Sequence, residues 1–117
     1  MGRLTTHVLD TAQGQPGNGI HLALSRRNGS TWVELKTEIT NHDGRVNTPL
    51  LDGDEFQVGS YQLVFAAGDY FRASGIQLPE PAFLEDVVIR FGVAAADQHY
   101  HVPLLISPYS YSTYRGS

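Results

Sequence analysis

The sequence predicts an all-β protein, a single antiparallel β-sandwich of seven to eight strands with one short helix. Three observations carry this. Clusters of Gly, Pro, Asn and Asp cut the chain into short extended runs at roughly the 8–12-residue spacing of sandwich strands. Several of those runs alternate apolar and polar residues with the period of two that a half-buried strand requires. The 117 residues suffice for one core and fall short of two, so residues 1–117 form one domain.

The elements follow in order. Residues 4–11 are the first strand, closed by Gly14-Gln15-Pro16-Gly17-Asn18-Gly19. Residues 20–25 are the second, closed by Asn28-Gly29-Ser30. In residues 32–40, Trp32, Glu34, Lys36 and Glu38 alternate with Val33, Leu35, Thr37 and Ile39. Asn41-His42-Asp43-Gly44 is a turn, and residues 47–54 read as loop. Strands follow at 59–66, 87–93, 98–106 and 109–115. Residues 66–75 break the pattern: Asp69 is placed to cap a short helix and Gly75 to end it. Pro79 and Pro81 then return the chain to extended structure.

Composition narrows the function. With no cysteine, disulfides, thiolate nucleophiles and cysteine metal sites are excluded, and a cytoplasmic protein is expected. A net charge of −4 gives no electrostatic footprint for nucleic acid. No run approaches the roughly 18–20 apolar residues of a membrane helix, and no apolar leader is read at the start.

Alternation sorts the polar residues onto faces. His7 lies with Thr5 and Leu9, opposite Leu4, Thr6 and Val8. His99, His101, Pro103 and Leu105 share a face, opposite the more apolar Tyr100, Val102, Leu104 and Ile106. Ser110, Ser112 and Tyr114 share a face in the last strand, opposite Tyr109, Tyr111, Thr113 and Arg115. The last two strands are joined by a Ser-Pro turn and are expected to form a hairpin presenting His, Ser and Tyr away from the core. Taken singly, His21, His42 and His99 read as surface or structural histidines, and Arg45 as a solvated loop charge. The His99/His101 pair has the spacing to chelate a metal with a third imidazole. No carboxylate or cysteine lies in register, so no metal is expected. No Gly-x-Ser-x-Gly elbow accompanies the serines. Spacing alone thus gives a sandwich with a His-lined face and no stated chemistry.

Three segments resemble the signatures of the transthyretin-like 5-hydroxyisourate hydrolases, in order and spanning nearly the whole chain. They are Leu4-Thr5-Thr6-His7-Val8-Leu9-Asp10-Thr11, Asp43-Gly44-Arg45, and His99-Tyr100-His101-Val102-Pro103-Leu104-Leu105 through Ser117. The closing Tyr114-Arg115-Gly116-Ser117 separates those enzymes from the hormone carrier transthyretin, whereas residues 107–113 read like the carrier. The resemblance implies a transthyretin-like (prealbumin-like) sandwich that assembles as a dimer of dimers around a central channel. It implies hydrolytic ring opening of 5-hydroxyisourate in urate catabolism, by water attack on a ring carbonyl and without metal or cofactor. His7 and His101 would between them activate water and deliver a proton to the departing nitrogen, in either assignment, and Arg45 would stabilise the developing oxyanion. Arg115 and the carboxylate of Ser117 would hold the local geometry, with Tyr114 closing the floor of the pocket. Gly116, Ser112 and Leu105 are expected beside them as substrate-binding positions. The alternative is a transthyretin-like carrier of a small aromatic ligand in the same channel.

Overall fold

The computed structural model describes residues 2–116. Its strands are β1 (Arg3–Asp10), β2 (Gln15–Pro16), β3 (His21–Asn28), β4 (Thr31–Ile39), β5 (Leu51–Asp52), β6 (Gly59–Phe65), β7 (Val87–Val93), β8 (His99–Ser107) and β9 (Ser110–Thr113). Among the described residues an α-helix, α1 (Ala67–Ala73), follows β6, and a single 3-10 turn lies at Gly53–Glu55. The strands form two packed sheets, as the sequence predicts. One has the order β2-β1-β8-β9, with β5 also paired to β1, and the other the order β4-β3-β6-β7.

Alternation sets what lies between the sheets. Leu4, Thr6, Val8 and Asp10 of β1 point inward, as do Tyr100, Val102, Leu104 and Ile106 of β8. They meet Leu22 and Leu24 of β3, Tyr61, Leu63 and Phe65 of β6, and Val87, Ile89 and Val93 of β7. The residues of opposite parity in β1 and β8, Thr5, His7, His99 and His101, are only half-buried on the outer face. Burying the apolar parity thus drives the polar parity outward, because a strand cannot bury one without exposing the other.

The pairings are antiparallel except one. β1 and β8 run parallel, in register from Arg3 beside His99 to Asp10 beside Ile106. Strands this far apart in sequence have a long crossover between them, which a parallel pair requires. The two-residue strands β2 and β5, read from sequence as turn and loop, occupy the other edge of β1.

The terminal hairpin forms as predicted, with Ser107 opposite Ser110 and Leu104 opposite Thr113. The ladder stops at Thr113 instead of continuing to Arg115. Pro103 has no N–H to donate, and its carbonyl accepts the Thr113 hydroxyl at 2.7 Å. Pairing resumes once, where the Gly116 N–H donates to the His101 carbonyl at 2.7 Å.

The expected capping role of Asp69 is corrected. The helix begins after Ala66, with no side-chain cap. Asp69 sits inside the first turn, 3.3 Å from Arg72, while Arg72 also makes a two-pronged contact with Glu85. The Gly68 N–H, free at the helix start, donates to the Glu85 carbonyl at 2.8 Å. Gly75 ends the helix as expected, its N–H bonded to the Arg72 carbonyl.

The helix is tied to β1 through Asp10, which is 1% exposed. Its carboxylate accepts from the N–H groups of Ala12 and Gln13, from Gln13 Nε2 and from Tyr70 Oη at 2.7 Å. A buried carboxylate is tolerated only with such partners. Tyr70→Phe removes one of them, and urea unfolding at fixed protein concentration is expected to show a loss of about 1–3 kcal/mol. Asp10→Ala, which strands all the donors, is expected to lose more.

Candidate active site

The parallel register of β1 and β8 builds the site. Thr5 lies directly beside His101, Arg3 beside His99, and His7 one outward-facing position beyond Thr5. A third segment joins them. The Val8 N–H donates to the Gly44 carbonyl at 2.8 Å, and His7 and Arg45 form a single antiparallel bridge. The 41–45 turn is held by Asn41, whose Oδ1 accepts from the N–H groups of Asp43 and Arg45. Gly44 has φ +76°, and a β-carbon there would collide with the Val8 carbonyl. Only glycine brings this turn flat against β1.

His7, Arg45 and His101, expected from the sequence to act together, therefore meet on one face. A polar cleft of about 400 Å³ opens beside them, with Arg3, Thr5, Arg45, Asn47, Thr48, His99 and His101 in its walls and His7 next to it, outside the lining. A larger concavity of about 630 Å³ lies on the outer face of the other sheet, around His21, Ile39 and Val64. It gathers no comparable set of histidine and arginine, so the smaller cleft is the chemical candidate. Among the described residues, no three His, Cys, Asp or Glu side chains converge as a metal-ligand set.

Both imidazoles are held below their ordinary value of 6.5. Burial is the main cause for His7 and the Arg45 charge the second, partly opposed by a hydrogen bond to the Asp43 carbonyl. For His101, burial again leads, followed by Arg45, His7 and His99. Both rings are therefore predominantly neutral at pH 7.

The hydrogen bonds fix which nitrogens are free. His7 Nε2 lies 2.9 Å from the Asp43 carbonyl, which can only accept. Neutral His7 must carry its proton on Nε2 and leave Nδ1 as a lone pair. His101 Nδ1 is 2.8 Å from Thr5 Oγ1, and the same oxygen is 2.9 Å from His99 Nε2. His101 Nε2 has no hydrogen-bond partner among the described residues.

The terminal residues divide. Gly116 lies against the His101 ring, and a β-carbon there would stand 2.7 Å from Cδ2. Its glycine allows this close approach while it pairs with β8. Tyr114 is exposed, and exposed Ser112 pairs with half-buried Leu105 beyond the cleft. Arg115 turns elsewhere: its guanidinium carbon lies 3.8 Å from the centroid of the Tyr100 ring, and Nη2 donates to Gln98 Oε1 and the His99 carbonyl. It contacts the start of β8 rather than the cleft wall. Ser117 lies outside the described residues.

Two further residues stand in the cleft wall, His99, which the sequence reads as surface or structural, and Thr5, which shares the His7 face. Their shared face was legible, but a parallel partner for β1 leaves no local signal in the sequence.

The geometry can be set beside known proteins. The profile of the HIUase/Transthyretin family matches residues 4–116. This chain belongs to that family. It is 67% identical over 117 residues to a 5-hydroxyisourate hydrolase of Pseudomonas aeruginosa, covering 100% of this chain and 93% of that one. A structure of (S)-allantoin synthase superposes with a TM-score of 0.94 at 44% identity; the match covers 99% of this chain and 44% of that longer one. Sea bream transthyretin in complex with thyroxine superposes with a TM-score of 0.87 at 26% identity, covering 97% of this chain and 94% of that one. The transthyretin-like sandwich expected from the signatures is thus the fold.

The lowered imidazole values give a signed prediction. NMR titration is expected to place His7 and His101 below 6.5, and Arg45→Gln should move both upward, because losing a neighbouring positive charge makes protonation easier. Protonation of these rings is more favourable in the unfolded chain. Their contribution to stability is therefore present above pH 6.5 and lost as pH falls from there through the lowered values.

Proposed function

We propose that this chain opens the ring of 5-hydroxyisourate to 2-oxo-4-hydroxy-4-carboxy-5-ureidoimidazoline, and that it works in the cytoplasm as a homotetramer. The observation that carries the reading is the convergence of two neutral imidazoles and a guanidinium on one outward face. The similarity to the Pseudomonas aeruginosa enzyme supplies the substrate.

The geometry suits hydrolysis of a cyclic amide. Water must lose a proton as it attacks a ring carbonyl, and the free Nδ1 of His7 accepts it. Negative charge then gathers on the carbonyl oxygen. Arg45 would stabilise it; its backbone bridge to His7 supports this role. The departing ring nitrogen needs a proton, which His101 supplies from Nε2. No step calls for a metal or an organic cofactor.

The assembly reading rests on exposed surface. Tyr109, Tyr111 and Tyr114 of the terminal hairpin are 61%, 46% and 61% exposed in the single chain. β9 also leaves an open strand edge, which proteins tend to cover. A closed two-fold assembly would cover both and turn the His-bearing face toward an enclosed channel. Residues 107–113 keep the carrier alternative in view, but binding an aromatic ligand has no use for two neutral histidines beside an arginine.

The direct assay follows ultraviolet decay of freshly generated 5-hydroxyisourate with and without protein. Acceleration is expected, and its absence overturns the hydrolase reading. His101→Ala and His7→Asn are each expected to lower turnover by about 10² or more, the scale of losing a positioned acid or base. Arg45→Glu should do likewise. Near wild-type rates in all three would place the site elsewhere. Sedimentation at micromolar concentration is expected to show four chains, and a monomer alone would remove the channel.

A further inference from the structure

Outside the assigned set, one group of side chains is organised but has no role in the chemistry so far, the hydroxyl of Thr5 between the rings of His99 and His101. We propose that His99 and Thr5 are positioning residues forming a proton relay that reloads His101 each time it protonates the departing nitrogen. The proposal rests on the hydrolase reading and deepens it.

The argument starts from proton counting. A neutral imidazole that gives up its Nε2 proton becomes an anion unless Nδ1 gains a proton in the same event. The alternative, starting from the imidazolium, is opposed by burial and by the charge of Arg45. His101 therefore serves as an acid in its neutral form only if something feeds Nδ1. Thr5 Oγ1 stands 2.8 Å from that nitrogen, within hydrogen-bond range.

A hydroxyl has one hydrogen, so its two imidazole contacts are not independent. If Thr5 donates to His101 Nδ1, it can only accept from His99 Nε2, 2.9 Å away. This arrangement puts the His101 proton on Nε2, where the departing nitrogen needs it. As that proton leaves, the Thr5 hydrogen moves to His101 Nδ1 and the His99 Nε2 hydrogen moves to Thr5 Oγ1. Half-exposed His99 takes a proton from solvent on its other nitrogen. One proton enters at His99 as one leaves at His101, and no ring becomes an anion. After product departs, a solvent proton taken at His101 Nε2 drives the chain back.

The frame supports a relay more than an incidental contact. The three residues sit on adjacent parallel strands, with Thr5 in direct register with His101 and His99 one pleat away on the same face. The His99 and His101 ring centroids are 6.3 Å apart, a gap that one oxygen bridges. Gly116 packs on the opposite side of the His101 ring and limits its swing.

The test uses the full chain and has two arms. In the first, kinetics on 5-hydroxyisourate compare wild type with Thr5→Val, Thr5→Ser and His99→Phe. Valine keeps the shape and lacks the hydroxyl; serine restores it. Thr5→Val and His99→Phe are expected to lower kcat about tenfold, part of the roughly 10² to 10⁴ that a positioned acid contributes, with KM little changed. Thr5→Ser should return kcat to within about twofold of wild type. The second arm needs no activity: ¹⁵N NMR of the histidine side chains at pH 7.5 reports the tautomers. His101 is expected to be protonated at Nε2 in wild type and in Thr5→Ser, and mixed in Thr5→Val. An active wild type with undiminished kcat in Thr5→Val overturns the relay, as does a His101 tautomer unchanged by that substitution. An inactive wild type overturns the hydrolase reading instead, and the NMR arm alone then decides whether Thr5 governs the tautomer.

Discussion

The site depends on one constraint, the parallel register between the first and eighth strands. It sets Thr5 beside His101 and His7 beside Pro103. Slide β1 by a single residue and its buried set Leu4, Thr6, Val8 would face outward, while His7 would turn into the core. The register that buries four inward side chains of β1 against those of β8 is therefore the register that assembles the histidines. Packing energy and chemical geometry select the same alignment, so the site needs no device of its own to hold it.

The main chain extends this arrangement. Arg45 reaches His7 because the Gly44 carbonyl accepts from Val8, and His7 takes its tautomer from the Asp43 carbonyl. His101 is held at its other side by a backbone bond to Gly116. Carbonyls and amides carry most of the orientation, which leaves the imidazoles available for the proton transfers proposed above.

Much of the fold was legible in the sequence because it is written in local pattern. The Asn41–Gly44 turn and the Ser-Pro hairpin are short-range signals, and each appears where expected; the strand read in residues 32–40 also forms, but its apolar parity is not buried, with Val33, Leu35 and Ile39 exposed on β4. The face carrying His7 and that carrying His99 and His101 were also legible, since parity follows from the period of two. What escaped was long-range. Nothing near Thr5 announces that its neighbour will be a histidine 96 residues away. Asp69 was misread because a carboxylate near a helix start is equally consistent with a cap and with a first-turn ion pair, and the contact with Arg72 depends on where the helix begins. The partner of Arg115 was likewise not legible, because its guanidinium lies over the face of Tyr100, a contact made by tertiary packing.

The anchoring of the 41–50 segment has a consequence for how such a site changes over time. Asn41 is bonded to Asn47 side chain to side chain, and the Leu50 N–H donates to the Leu4 carbonyl. Between these anchors, exposed Thr48 lines the cleft without contributing to the core. The parts that would choose among substrates are thus mechanically separate from the parts that would turn them over. A lineage, or an engineer, can rewrite the wall at 48 while the Asn41–Asn47 bond and the histidine register stay in place, so new selectivity can be explored without touching the frame.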